Sequence, residues 1–559
     1  MTEDLKRVHG ALPELVEQMR AGAVDRREFL RTATLLGLSA SAAYALAGLE
    51  DPAGKPAEAA TMDGGVVRIS MRVPALENPA TFSWVYDSNS VRQVCDYLTR
   101  TGYDNITRPW LLEKWEASDD LKTWTLILKK GIKWSNGDEL VADQVIWNLK
   151  RWLDPNVGSS VIGLMKGYML VEFDTGQKDD KGNPKMSTKL WADNAIEKVD
   201  DHTIKLNCSA AQLAVPEHLF HYPALILHPA QEGKFGLDAF GTGAYKMVEY
   251  EVGKKVVLKR RDGYWGKKPA IETIEVIDNG DDPAAAVAAI ASKQVDGMYE
   301  ASTSQYAALR KLNHLQIYQV ATGQTAVARM QPTNDTWKDP KVRQAMRYAL
   351  DTQKLLKIAY LGLGAPGEHH HVAPVHPEYY KLPFQKQDIA KAKKLLADAG
   401  HPNGFDTEIF CKKDPDWEPT CVQAMAQMWK QIGVNVKINV LPSSQYWDIW
   451  DKPSAPFAFT SWTHRPLGVM VLGLAYRTGV PWNESKYANP KFDELLSKAE
   501  GTLDVNKRKE VMKEIEQLML DDGPICLPLW RAVFTFMDKK VKNYKAHPTS
   551  YIFCEEWSL

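Results

Sequence analysis

The chain has 559 residues, with 69 lysines and arginines against 70 aspartates and glutamates, and is 44% hydrophobic and 10% aromatic. That length exceeds what one hydrophobic core supports, so roughly two to four domains are expected. The composition excludes a disordered or fibrous chain, and the balanced charge argues against a dedicated nucleic-acid binder. Six scattered cysteines without a C-x-x-C pair exclude a disulfide scaffold and argue against a cysteine-ligated cluster.

The first informative segment is Asp25-Arg26-Arg27-Glu28-Phe29-Leu30-Arg31, followed by an apolar stretch over 32–49. Paired arginines before Phe-Leu and a mild apolar core read as a twin-arginine export signal. Small residues at 45–47 or 57–60 offer cleavage sites, and a short membrane anchor is the competing reading. A Pro/Ala/Gly linker over 51–63 leads to a strand at 66–70, and a second strand at 124–128 places Trp124, Leu126 and Leu128 on one face. Asn136-Gly137 signals a tight turn. Ala142, Val145, Ile146, Leu149 and Leu153 then mark an amphipathic helix. Residues 203–206, 245–250 and 255–260 read as strands, the last two as an antiparallel pair.

The second half is more helical. Periodic apolar residues predict helices over 342–350, 389–399, 422–433, 492–499 and 511–519, and Val434, Val436, Ile438 and Val440 alternate as a strand. Helix and strand signals mixed in this order imply layered α/β lobes.

Five stretches carry a resemblance. They are Gly131-Ile132-Lys133-Trp134-Ser135-Asn136-Gly137 with its flanking strand and helix, Gly241-Thr242-Gly243-Ala244-Tyr245 with the downstream Gly263-Tyr264-Trp265, Lys341 to Asp351, Ala392 to Gly400, and Asn489-Pro490-Lys491-Phe492-Asp493. In order and spacing they resemble the family 5 extracytoplasmic solute-binding proteins, which serve ABC importers of peptides, nickel and opines. The resemblance implies an α/β, two-lobed periplasmic binding protein fold of type II, with the extra subdomain of the peptide-binding group and a ligand cleft between the lobes. It implies a leader and linker over 1–60, a first lobe over 61–322 with the extra subdomain near 109–230, a second lobe over 323–527, and a return to the first lobe over 528–559. The expected activity is capture of a small peptide or peptide-like solute by lobe closure, without catalysis, cofactor or resident metal. The captured solute would pass to an ABC permease and ATPase complex, and the binding protein would act as a periplasmic monomer. An exported cofactor enzyme and a sensor for a membrane signalling partner are the competing classes. The chain carries no G-x-G-x-x-G after a strand, no P-loop and no G-x-S-x-G.

Within this resemblance, the segment Phe459 to Pro466 holds the expected pocket wall, Trp462, and beside it His464 and Arg465. The peptide binders place an aspartate three residues after this tryptophan, where it receives the ligand's ammonium; here that position is Arg465. A guanidinium repels an ammonium and favours a carboxylate or phosphate, which points to an opine, a blocked peptide or another anionic conjugate. Alternatively Arg465 pairs with a protein carboxylate. Trp84 and Tyr86, on the loop after the first strand, are expected to face the cleft because ligands gather at strand C-terminal ends. Trp417 and Trp482 are further candidate walls, and Arg329 lies near the expected crossing between lobes. His369-His370-His371 reads as a solvated loop in preference to a metal site, because adjacent histidines point in different directions. A Cys411–Cys421 disulfide is left open.

Overall fold

The computed structural model describes residues 2–51, 64–178, 182 and 184–559. Its backbone is a sheet of twelve strands among those residues, running through both halves of the molecule. At its centre lies the 16-residue strand Leu315–Met330. The first part of this strand pairs antiparallel with Leu529–Asp538, up to Gln324 opposite Arg531. From Thr325 onward its partner is Phe457–Trp462 instead. One side of this exchange carries Val66–Ser70 between Thr273–Ile277 and Gly297–Met298, all parallel to it. The other carries Phe457–Trp462, Phe405–Lys412 and Val434–Leu441. The sheet register slips between Val320 and Gln324. Gly323 sits in that slip, where a Cβ would lie 2.9 Å from His376 Nε2 and 3.2 Å from His464 Nδ1. Its missing side chain lets two imidazoles close on the backbone at the point where the chain changes partner.

Most predicted elements form close to where the apolar pattern places them. The strand Thr123–Leu128 buries every second residue and joins a separate four-stranded sheet. The helix Ala142–Trp152 buries Val145, Leu149 and Trp152 on one face. Pro340–Tyr348, Ile389–Asp398, Pro490–Glu500 and Val505–Asp521 are helical. The helix expected from about 422 begins earlier, at Trp417, and runs to Lys430.

Two helices had no readable pattern. In Val161–Met169 only Lys166 and Gly167 are not buried, and Gly468–Ala475 is buried throughout. A helix without a polar stripe has no period to detect. These two pack on each other, joining the segment before the four-stranded sheet's third strand to the segment after Phe457–Trp462. A Cβ on Gly163 would sit 3.2 Å from Leu474 Cδ2 and 3.6 Å from Leu474 Cα. Gly163→Leu is therefore expected to wedge these helices apart. Overpacking of this kind costs about 1–3 kcal/mol, so the population that keeps this contact should fall about fivefold or more. Small-angle scattering would show a larger radius of gyration at unchanged helix content; an unchanged radius would mean the contact yields locally.

The N-terminal 2–51 segment is also folded, as helices Thr2–Val8, Leu12–Arg20, Arg26–Leu35 and Ala40–Leu46. The apolar stretch expected as one run is thus two helices. Ser39 caps the second by accepting from Ala42 N at 3.3 Å, which gives the chain a local reason to restart there. Among the described residues no helix is long and apolar enough to cross a membrane. The 57–60 cleavage candidate lies outside the described residues.

Candidate functional site

The large cavity of the molecule, about 1190 Å³ and partly open to solvent, lies between the loop after Val66–Ser70 and the end of Phe405–Lys412. The first side contributes Arg72, Trp84, Tyr86 and Glu300; the second contributes Lys412, Asp414, Trp417 and Ser461. Lys412 is buried, with its ammonium 2.6 Å from Glu418 Oε1 and 3.0 Å from Ser461 Oγ. The same ammonium faces the rings of Trp84 and Trp447 at 5.6 and 5.4 Å, so a cation–π contact joins the two walls. Arg531 is held by Glu300 and Gln324, and Arg72 by Asp278 at 3.2 Å and by Asp281. Each lining cation therefore already has an acid beside it. Asp414 has no ion-pair partner among the described residues, and burial raises its carboxyl above the usual range.

A smaller cavity, with room for about one water molecule, is lined by Arg465, His464, His221 and Glu217. Arg465 is 4% exposed. Its Nη1 donates to the Thr463 hydroxyl, to Thr463 O at 3.3 Å and to His464 O at 3.0 Å. The guanidinium lies 5.2 Å from the centre of the Tyr222 ring. Among the described residues none of its partners is a carboxylate, and Nε has no hydrogen-bond partner. A buried guanidinium left without an anion is costly, so this arrangement favours an incoming one. Glu217, across the cavity, is pushed up to about 7 by burial, so it is about half ionised at neutral pH and is the one carboxyl lining this cavity among the described residues.

His464 is fixed by Gly323 N, which donates to Nδ1 at 3.0 Å. Its burial holds the imidazole neutral, well below its ordinary range. Trp462 donates from Nε1 to Glu484 Oε1 at 2.9 Å, and its ring meets Trp482 at 6.0 Å. Trp482 in turn packs on His221 and Tyr222 at 5.6 and 5.9 Å. The predicted residues thus do not converge on one pocket. Trp84, Tyr86 and Trp417 line the large cavity and His464 and Arg465 the small one, whereas Trp462 and Trp482 line neither and stand behind the small one through His221 and Tyr222.

Arg329 belongs to neither. It is fully buried, bonding Glu484 Oε2 at 3.0 Å, the Trp450 carbonyl, and Ala455 O at 2.5 Å. Its place next to the crossing suggested a ligand contact, but a carboxylate reached from 155 residues away claims it. The three adjacent histidines are not solvated either: each is 1% exposed. His369 Nδ1 accepts from Leu527 N, His371 Nδ1 pairs with Tyr476 OH at 2.8 Å, and His370 faces Glu516 at 3.8 Å. They do point apart, and no metal-binding group of side chains exists among the described residues. Cys411 and Cys421 are both free and buried.

Sequence reasoning passed over Lys412, Asp414 and Arg531. The strand-end rule that flagged Trp84 applies equally to Phe405–Lys412 and would have found the first two; Arg531, in a strand interior, carries no comparable signal.

A two-walled cleft around one long shared strand is accompanied by a family match: the model for the bacterial extracellular solute-binding proteins, family 5, covers residues 107–479. The chain belongs to that family. The family 5 assignment is consistent with the dipeptide-binding protein of Escherichia coli K12, 25% identical over 471 residues that cover 79% of this chain and 84% of that one. The glutathione-binding protein GsiB of Pectobacterium atrosepticum is 25% identical over 80% of this chain and 85% of its own. Among solved structures, DppA from Helicobacter pylori in complex with peptide STSA has a TM-score of 0.76 at 20% identity, covering 89% of this chain and 98% of that one. AgaA from A. tumefaciens R10 in complex with agropinic acid also reaches 0.76, at 21% identity over 88% and 97%. These structures establish the two-lobed α/β fold, and this family 5 member is a substrate-binding protein.

Proposed function

We propose that this chain captures a peptide-like solute with an anionic group and delivers it, unchanged, to an ABC permease and ATPase complex. An opine, an N-blocked peptide or an acidic conjugate fits this class. One observation carries the choice: Arg465 lies buried over Tyr222 with no carboxylate partner among the described residues, at the position where the resemblance implies an ammonium-binding aspartate in peptide binders. The relatives whose names specify dipeptide, glutathione and agropinic acid support a peptide-like range. In this reading the lobes are 61–322 with 528–559, and 323–527, with the extra subdomain near 109–230. Residues 1–60 direct twin-arginine export to the periplasm, where the protein acts as a monomer.

The mechanism is a population shift. A ligand that touches Trp84 and Arg72 on one wall and Trp417 and Lys412 on the other makes both sets of contacts only when the lobes are closed. Moving from mostly open to mostly closed needs about 5 kcal/mol of such differential binding. Two or three charge-assisted hydrogen bonds, each worth about 1.5–3 kcal/mol, are enough. The permease then reads the closed form.

Native mass spectrometry of protein purified without refolding tests the proposal. The expected result is one small acidic, peptide-like compound per chain, recovered intact. Recovery of ordinary peptides with free amino termini would overturn the ligand class, and unaided turnover of the compound would overturn capture without chemistry.

A further inference from the structure

The 2–51 segment does more than precede the folded body. We infer that it is a strap that ties the two lobes together from outside the cleft and holds the chain shut until the strap leaves. This inference rests on the lobe bounds and the removable leader of the proposed function and not on the ligand class.

Both flanks of the strap grip the lobe that contains the strand Leu112–Ala117: at its start Gly10 N donates to Asp119 Oδ1 at 3.3 Å, and residues 35–51 supply the rest. Trp115 Nε1 donates to Leu35 O at 2.9 Å, Tyr44 OH to Asp104 Oδ2 at 2.6 Å, and Arg108 pairs with Asp51 at 3.2 Å. The middle of the segment, residues 18–28, grips the helix Val505–Asp521 and its cap. That helix docks on the opposite lobe, where Arg347 of Pro340–Tyr348 donates to Leu520 O at 2.6 Å. Here Glu28 Oε1 receives Arg508 at 3.2 Å, Asn506 donates to Ala23 O at 2.9 Å, and Gln18 reaches Asp504 at 3.4 Å.

The Glu28–Arg508 contact is a knot. Both side chains are buried. Glu28 also accepts from Arg31 Nη1 and Thr32 Oγ1 at 3.0 Å each, while Arg508 donates to Thr502 O and Leu503 O at 2.7 and 2.9 Å. Removing Glu28 would leave two buried guanidiniums, Arg31 and Arg508, without their carboxylate, whereas removing Arg508 leaves Glu28 paired with Arg31 alone. Around the knot, Phe29, Leu30, Leu35 and Leu36 are all buried. The same helix leaves Arg26 and Arg27 exposed. It therefore displays its basic pair while its apolar face serves as core.

Opening the cleft moves the two lobes relative to each other, so it must break one of these two sets of contacts. The strap consequently biases the chain toward the closed form without any ligand. Its departure frees the hinge, so capture of solute is suppressed in the compartment of synthesis and enabled where the strap is lost.

The test uses the full chain with a protease recognition sequence placed within 52–63, followed by hydrogen exchange before and after cleavage. The reporters are the amides of Val161–Met169 and Gly468–Ala475, which face each other across the lobes and contact no strap residue by hydrogen bond. Cleavage and washing out of the strap are expected to speed their exchange at least tenfold. Arg508→Gln and Trp115→Phe, made separately in the uncut chain, are each expected to speed it severalfold, because weakening either set of contacts suffices to loosen the strap. Should Arg508→Gln fail to fold, the cut wild-type chain and Trp115→Phe still decide. Unchanged exchange at both reporters after cleavage would overturn the inference, and so would unprotected amides in Arg26–Leu35 of the uncut chain.

Discussion

Arg465→Asp is expected to weaken capture of the co-purifying solute by at least tenfold, read by calorimetry on protein stripped of its ligand. The reasoning is electrostatic. The wild-type guanidinium is buried, is bonded by Nη1 only to Thr463 and His464, and lies against the face of Tyr222. Hydrogen bonds to a charged ligand group are worth about 1.5–3 kcal/mol each. Losing even one of them exceeds the 1.4 kcal/mol that corresponds to tenfold, and the substituted carboxylate adds repulsion of an anionic ligand. Arg465→Lys should fall between the two, because it keeps the charge but loses the planar two-pronged donor. A thermal melt separates a binding loss from a folding loss. Affinity unchanged in a normally folded Arg465→Asp protein would place the ligand in the large cavity alone, against Trp84, Trp417 and Lys412.

Glu516→Gln is expected to stabilise the protein, by an amount that grows with pH. Burial pushes the Glu516 carboxyl up to about 9, with Glu368 and Glu378 adding to the shift and a hydrogen bond from Tyr380 N opposing it. The facing imidazole of His370 is pushed down to about 3 by burial. Both groups are therefore neutral near pH 7 in the folded chain. The folded carboxyl keeps its proton up to about 9, whereas the unfolded one loses it near 4.5. Between these values the unfolded state is favoured by ionisation, and folding loses stability as pH rises. Glutamine keeps the acceptor for Tyr380 N and removes the titration. The difference in melting temperature between variant and wild type should be near zero below pH 4.5 and increase steadily toward pH 9. A difference that is flat with pH would mean that Glu516 ionises in the fold as it does in the unfolded chain.

The aromatic candidates show how far position in the chain carries. Trp84 and Tyr86 were legible because a loop after a parallel strand faces the cleft, and Trp417 is likewise in the wall. Arg329 was not legible in its true role. Nothing local to residues 326–332 announces that Glu484 and the carbonyls at 450 and 455 close around its guanidinium. His369, His370 and His371 teach the same lesson in reverse. A polar tripeptide reads as surface, yet each ring is enclosed because Leu527, Tyr476 and Glu516 arrive from distant segments.

Periodicity is a local property, and it placed the strand at Thr123–Leu128, the helix at Ala142–Trp152 and the layered α/β character without reference to any neighbour. That Arg465 follows Trp462 where the resemblance implies an aspartate came from the family pattern and not from periodicity. What required three dimensions was every feature made by partners far apart in sequence: Lys412 set between Trp84 and Trp447, the exchange of sheet partners near Gly323, and the grip of Glu28 on Arg508. Such contacts are fixed by packing and charge satisfaction across the whole fold, to which no short stretch of residues has access.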